Sequence, residues 1–177
     1  EGGFKTDLSF GSSSTNTNAS LGGNNGKKIS DTDQITLNNK NSNNLTKKLN
    51  YINSKIEYIR VIKATNYNYF TDISKNDFFT KEFIVSKFSD RMGMRLSGPI
   101  LKNNVSTNIR SEGIIKGVIQ IPPDGSPIIM LSDHGTIGGY PKIASVISAD
   151  FDKVSQLPPG SQIKFKEMTL KDAENLY

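Results

Sequence analysis

Three polar, glycine-rich stretches hold most of the side chains in this sequence that could do chemistry: SDRMGMRLSGP (89–99), the pair SEG and QIPPDGSP (111–113 and 120–127), and SDHGTIGGYPK (132–142). In the first, Asp90, Arg91 and Arg95 put one carboxylate and two guanidiniums within six residues. That group suits bidentate recognition of a carboxylate or phosphate, or equally an ion pair that ties the turn together. In the second, Gln120 ends an apolar run, and Pro122-Pro123-Asp124-Gly125 has the residues of a tight turn. Proline presets φ and glycine accepts a left-handed conformation. Such a turn could aim Asp124 and the Gln120 amide, which both donates and accepts, into a cleft. In the third, Gly138-Gly139 follows Thr136 and precedes Tyr140 and Lys142. Paired glycines permit close backbone approach and free N–H groups, as in anion-binding nests, with three side-chain donors beside them. A phosphate or oxyanion site is the chemistry this suggests. It is not a P-loop, since no Gly-Lys-Ser/Thr closes it, nor a dinucleotide fingerprint, since no helix-period run follows.

Other chemistry is excluded by composition. The 177 residues include no cysteine and one histidine, His134, so thiolate zinc, iron–sulfur clusters, cysteine nucleophiles and a His-only metal centre are ruled out, and no metal is expected. His134 reads as a surface donor, and Asp133 beside it as the better proton acceptor. The net charge of +5 is not gathered into the cluster that nucleic acid requires. No run approaches the ~18 apolar residues of a membrane helix. Neither nucleic acid nor membrane is expected as a partner.

The elements that position these stretches read as mainly β. A chain of this length suits one ordinary domain. Ten of its 18 asparagines fall between Asn16 and Asn50, which marks turns and surface loops, with residues 38–50 a candidate flexible loop. Strands are expected near Ile56–Ile62, Glu82–Phe88, Ile114–Ile121, Ile128–Leu131, Ala144–Ser148 and Gln162–Lys166. These are short β-branched and aromatic runs bounded by Gly and Pro. Short helices are expected within Tyr67–Phe79, capped by Thr71 or Asn76, at Asp150–Gln156, capped by Asp150, and at Thr169–Asn175, where Thr169 caps against Asp172. Phe78, Phe79, Phe83 and Phe88 read as core. Such close strand spacing argues for a closed or nearly closed, mostly antiparallel sheet, because βαβ units need a helix between each strand pair. The chain starts at Glu1 and reads as part of a longer subunit, which would leave uncovered apolar surface and strand edges.

Taken in order, SDRMGMRLSGP, the run from Ser111 through SEGIIKGVIQIPPDGSPIIMLSDHGTIGGYPKIASVISAD, and LPPGSQIKF (157–165) resemble the allophanate hydrolase subunit 2 family. This is also called the biotin-dependent carboxyltransferase family, and it includes the C-type subunits of 5-oxoprolinase. At the other end, EGGF and GSSSTNTNASLGG resemble the family's Gly-Gly strand and its GSRSTD-like loop, with Ser13 where the arginine is expected and Asn16 where the acid is expected. The resemblance implies a cyclophilin-like β-barrel with a few short helices, of which residues 1–177 would be the C-terminal portion.

The resemblance further implies a cytoplasmic subunit of an ATP-dependent complex that opens 5-oxo-L-proline to L-glutamate. The expected partners are a second carboxyltransferase-like subunit, an amidase-like subunit and a small-molecule amide. One alternative is biotin-dependent carboxyl transfer to a urea-like amide nitrogen; no Ala-Met-Lys-Met carrier loop occurs in the chain, so biotin would come from another chain and is the less favoured cofactor. A second alternative is a regulatory or interaction subunit without chemistry. Either reaction must stabilise charge on a carbonyl oxygen and manage a proton on nitrogen. The resemblance therefore makes Asp90, Asp124, Asp133 and Lys142 the expected catalytic groups. Arg91, Arg95, Glu112, Gln120, Thr136, Gly138, Gly139 and Tyr140 are the expected binders of substrate or nucleotide, with Glu112 also a candidate proton acceptor.

Overall fold

Short β-branched runs broken by glycine and proline build strands of two to five residues. The structure, a computed structural model, describes residues 3–38, 56–106 and 108–176. The chain divides into two units, Glu1–Tyr51 and Ile52–Tyr177. Apart from Asn38, the candidate flexible loop at 38–50 lies outside the described residues.

In the second unit the order is β1 (Ile59–Lys63), α1 (Asp72–Thr80), β2 (Phe83–Val85), β3 (Gly93–Ser97), β4 (Glu112–Gly113), β5 (Val118–Gln120), β6 (Ile128–Met130), β7 (Ile137–Gly138), β8 (Lys142–Val146), α2 (Ser148–Val154), β9 (Gln162–Ile163), β10 (Phe165–Glu167) and α3 (Leu170–Glu174). Eight strands form one sheet, in the order β10-β1-β8-β5-β6-β3-β2-β9, and β4 pairs with β7 in a separate ribbon. The sheet order begins and ends on neighbouring pieces of chain, because only Lys164 separates β9 from β10. That single segment pairs with β2 through β9 and with β1 through β10, and so closes the sheet into a barrel. All contacts around it are antiparallel except β1–β10. Counting β9 and β10 as one stave gives seven, and an odd ring of alternating strands must contain one parallel contact. The sheet is thus nearly closed, with β9 paired only to β2 and β10 only to β1.

The core fills the barrel and the seam that closes it. Ile59, Val61, Ile119, Ile121, Ile129, Ile143 and Ala144 are fully buried. α1 lays Phe78 on the seam, where it stacks on Phe165 at 4.3 Å between ring centroids and lies 6.2 Å from Phe83. Thr71 starts α1, its Oγ1 accepting from the Ser74 N–H at 3.1 Å. At the far end, Thr169 caps α3 in the same way against Asp172.

Four local expectations are revised. SDRMGMRLSGP, read as a loop, contains strand β3, because Gly93, Met94 and Leu96 are buried against β6 and β2. The strand expected over Ile114–Ile121 is confined to Val118–Gln120. Asp150 does not cap α2, which starts after Ile147. Its buried carboxylate instead receives the Arg60 backbone N–H and Nε, each at 2.9 Å, together with Nη2. Burial pushes the Asp150 carboxyl up, but the Arg60 hydrogen bonds outweigh it and hold it below the ordinary range. Phe88 is 71% exposed rather than core.

The first unit has a different texture. Its described residues form three isolated bridges, Phe4↔Leu37, Ser9↔Ser12 and Asn16↔Leu21, and a short 3-10 turn at Asn24–Gly26. Asn16 Oδ1 accepts from the N–H groups of Asn18 and Ala19, each at 3.1 Å, as an asparagine does when it organises its own turn. Gly22 has φ +85°, and a Cβ there would fall 1.9 Å from the Ser14 carbonyl oxygen, so this turn requires glycine. No helix among the described residues of the chain is long and apolar enough to cross a membrane.

Candidate functional site

Two strands of the barrel deliver the central residues of the site. Gln120 ends β5 and Lys142 begins β8, and the two are Cα partners across the ladder, with a register shift between Ile119 and Gln120. Gln120 also faces Ile128 in β6, which faces Arg95 in β3. One row across four strands therefore runs Lys142, Gln120, Ile128, Arg95.

The β4–β7 ribbon joins this row from outside the barrel. Glu112 faces Gly138 in that ribbon. Its carboxylate forms an ion pair with the buried Lys142 ammonium, whose Nζ also lies 3.5 Å from the Gly113 carbonyl oxygen. The hydrogen bond from Lys142 holds the Glu112 carboxyl below the ordinary range; burial opposes it, and hydrogen bonding from Asn66 adds to it. Gln120 is 3% exposed and donates Nε2 to the Tyr140 carbonyl at 3.1 Å. Gly138 packs under the ends of two side chains, which would have to shift to admit a larger residue. A Cβ there would meet Ile114 Cδ1 at 2.5 Å and Gln120 Nε2 at 3.0 Å. Gly139 accepts from the Ile109 N–H at 2.8 Å, and a Cβ would stand 3.0 Å from the Ile109 carbonyl oxygen.

Asn66 completes the cluster. It is 3% exposed, and its Oδ1 accepts the backbone N–H of Lys142 at 3.1 Å. Sequence reasoning does not single it out, because one asparagine in an asparagine-rich chain carries no distinctive spacing. Its only local signal is its place ahead of the short 3-10 turn Tyr67–Tyr69.

The remaining candidates form other local groups. Arg91 forks onto Asp133, with Nε to Oδ2 at 2.7 Å and Nη2 to Oδ1 at 3.0 Å. This clasps the loop before β3 to the loop after β6 and holds the Asp133 carboxyl below its ordinary range. Asp90 Oδ1 accepts from the N–H groups of Met92 and Gly93 at 2.8 and 3.1 Å. Asp124 Oδ1 accepts from the Ser126 N–H at 3.1 Å, in a turn where Gly125 has φ +77°. Thr136 is exposed, and its carbonyl accepts from the Ile114 N–H at 2.9 Å. His134 Nδ1 donates to the Gly135 carbonyl at 2.7 Å. Glu112, Gln120, Gly138, Tyr140 and Lys142 thus share one connected cluster. Asp90, Arg91 and Asp133 belong to neighbouring loop clasps, and Asp124 to its own turn.

Chemically, the cluster is a buried cation neutralised by one carboxylate beside a fixed amide. Such a group can present positive charge to a developing oxyanion while the carboxylate takes up or returns a proton.

The family described as "Carboxyltransferase domain, subdomain A and B" matches residues 1–167. The chain is 33% identical over 176 residues to the C-type subunit of 5-oxoprolinase from Escherichia coli strain K12, covering 97% of this chain and 56% of that protein. It is 34% identical over 177 residues to the corresponding 5-oxoprolinase subunit of Haemophilus influenzae, covering 99% of this chain and 57% of that protein. It therefore spans a little over half the length of these relatives. Among solved structures, the K. lactis urea amidolyase matches with a TM-score of 0.76 and 26% identity, over 98% of this chain and 12% of that one.

Proposed function

Because the chain belongs to the family of the carboxyltransferase domain, subdomain A and B, we propose that it forms part of a subunit of an ATP-dependent amide-processing complex, a 5-oxoprolinase that converts 5-oxo-L-proline to L-glutamate. The observation that carries this reading is the likeness to the C-type 5-oxoprolinase subunit along 97% of the chain. The same reading implies a cytoplasmic complex, with a second carboxyltransferase-like subunit and an amidase-like subunit as partners.

Opening the lactam adds water across its C–N bond. The carbonyl oxygen gains negative charge as water attacks, and the nitrogen must gain a proton as the bond breaks. Lys142 is the group we assign to the oxygen and Glu112 the group we assign to the proton, because they already form an ion pair within reach of each other. Asp90 and Asp124 accept turn N–H groups, and Asp133 is held by Arg91. Glu112 is favoured among the four carboxylates because its partner is the buried Lys142 assigned to the oxygen, whereas the others are held by turn N–H groups or by the exposed Arg91. Lys142 and Gln120 are matched to partners within the protein rather than left open as a phosphate cradle. No step is therefore assigned to ATP on these residues, and its use belongs to the assembled complex.

The likeness to the urea amidolyase structure supports a second reading, carboxyl transfer from biotin carried on another chain to an amide nitrogen. In the assembled complex, Lys142→Ala and Glu112→Gln should each lower ATP-coupled 5-oxoproline hydrolysis by ~10-fold or more, the scale of losing one oriented charged group. Wild-type turnover in both variants, with the subunits still assembled, would remove the chemistry from this cluster. Inhibition of the reaction by avidin would favour the biotin reading.

A further inference from the structure

Gln120 keeps one half of its amide unspent. Its side chain is 3% exposed, and only one orientation of the amide makes chemical sense, because the group facing the Tyr140 carbonyl at 3.1 Å must be the Nε2 donor. Oε1 is therefore turned away from that carbonyl, and it accepts no hydrogen bond among the described residues. Nor is it sealed in. Thr6 Oγ1 is the one fully enclosed side-chain atom among the described residues that lacks a partner, so what exposure Gln120 retains includes this oxygen. An acceptor left unmatched at such depth costs about 1–3 kcal/mol, and a donor on a ligand would remove that cost.

Lys142 supplies the matching donor beside it. The two residues are Cα partners across β5 and β8. Their head groups also meet one rung of the β4–β7 ribbon: the Lys142 ammonium pairs with Glu112, and Gln120 Nε2 lies 3.0 Å from where a Cβ on Gly138 would stand. Glu112 and Gly138 are themselves partners in that rung, so ammonium and amide lie side by side beneath it. Of the three ammonium N–H groups, Glu112 takes one, and the Gly113 carbonyl at 3.5 Å stands at the outer limit for a second. A third is unspent, and 10% of the lysine side chain reaches the surface. An unspent N–H next to an unspent carbonyl oxygen is the complement of an amide edge on which C=O and N–H point the same way. A small lactam presents that edge, because ring closure forces its amide cis, and urea presents it because each nitrogen carries a hydrogen on the side of the oxygen. A peptide bond does not, since the trans amide puts C=O and N–H on opposite sides. We propose that Lys142 and Gln120 together read the C=O/N–H edge of a cis amide, with Gln120 Oε1 accepting the substrate N–H. The site then takes lactams and urea-like amides, and rejects peptide bonds, N-substituted lactams and lactones. This rests on the reading of the cluster as an amide-processing site for the substrate's identity, but not for the edge selectivity.

The test compares dissociation constants of small probes for the assembled complex, measured by ligand-observed NMR. 2-Pyrrolidinone should bind ~10-fold or more tightly than γ-butyrolactone, which has the same ring with oxygen in place of N–H. N-Methylacetamide, an open-chain trans amide, should bind as weakly as the lactone. Equal affinities for lactam and lactone in the unaltered complex would overturn the proposal without any variant. Gln120→Met keeps the length and packing of the side chain without its carbonyl, and should abolish the preference for the lactam. A residue that only supported the Tyr140 backbone would, when replaced, weaken both probes alike and leave their ratio intact, and a preserved ratio would sink the role of Gln120. If the complex hydrolyses 5-oxoproline and shows no preference for the lactam, only this inference falls. If it does not hydrolyse 5-oxoproline yet prefers the lactam, the hydrolase reading fails and the edge selectivity stands. Loss of both overturns both.

Discussion

The first 38 residues and the barrel that follows use the same amino acids to different ends. Residues 3–38 bury only Gly23 and Gly26 and leave Phe4, Leu8, Phe10, Leu21, Ile29, Ile35 and Leu37 exposed. Their order comes from asparagine and serine side chains bonding nearby backbone and from glycines where no Cβ fits. The barrel buries most of its inward isoleucines and phenylalanines in one continuous core, and its sheet is nearly closed. Local hydrogen bonds specify a turn but stabilise it only modestly, because water competes for the same groups. Burial of apolar area is what makes a unit cooperative. The two regions should therefore answer very differently to the same kind of substitution.

The largest contrast is between two phenylalanines. Phe165→Ala removes a ring packed between Phe78 and Phe83 at the seam that closes the barrel, and should cost about 3–5 kcal/mol in denaturant unfolding. Phe10→Ala, at a side chain 97% exposed, should change stability by less than ~0.5 kcal/mol. Similar values for both would erase the distinction between the regions.

Asp150→Asn comes next and sharpens the account of the barrel, since it separates electrostatic from apolar stabilisation. Arg60 is partly exposed beside a buried carboxylate, so the loss at neutral pH should be about 3 kcal/mol, the lower end for breaking a buried pair. The folded carboxyl lies below its ordinary range, so the native state holds fewer protons there than the unfolded chain does. Its contribution is full above the unfolded pKa and disappears as pH falls through the folded one. The gap between wild type and variant, followed by unfolding from neutral to acid pH, should close on the acid side. A gap that widens toward acid would contradict the assignment.

The smallest effect expected within the barrel unit is at a cap. Thr71→Ala removes the capping hydrogen bond from the Ser74 N–H at the start of α1, together with the bond that the Thr71 hydroxyl donates to the Ser74 Oγ, and should cost about 1 kcal/mol. A loss as large as that of Phe165→Ala would mean that α1 is held by its terminus rather than by Phe78.

Much of this architecture was legible in the residues. Ile59–Lys63 and Ile128–Met130 lie within or close to their expected spans, because β-branched runs between turn residues have few other uses. Thr169 capping against Asp172 was legible for the same local reason. The strand β3 was not, since Met, Arg and two glycines hide its alternation and only the pairing with β6 and β2 makes it a strand. Asp150 was read as a cap because sequence shows neighbours along the chain, whereas Arg60, its partner, lies 90 positions away.

The sequence alone determined a mainly β chain with short capped helices and glycine-rich stretches carrying the polar groups of interest, all of which follow from local propensity and spacing. Tertiary structure alone decided that one six-residue segment, 162–167, closes the barrel, and that Lys142 meets Glu112 30 positions away and Asn66 76 positions away. Those contacts depend on where the β1 ladder ends and where the β5 ladder shifts register, and neither is written in any short stretch of residues. A buried ammonium needs partners wherever the fold brings them, and here β4 brings both, the Glu112 carboxylate and the Gly113 carbonyl.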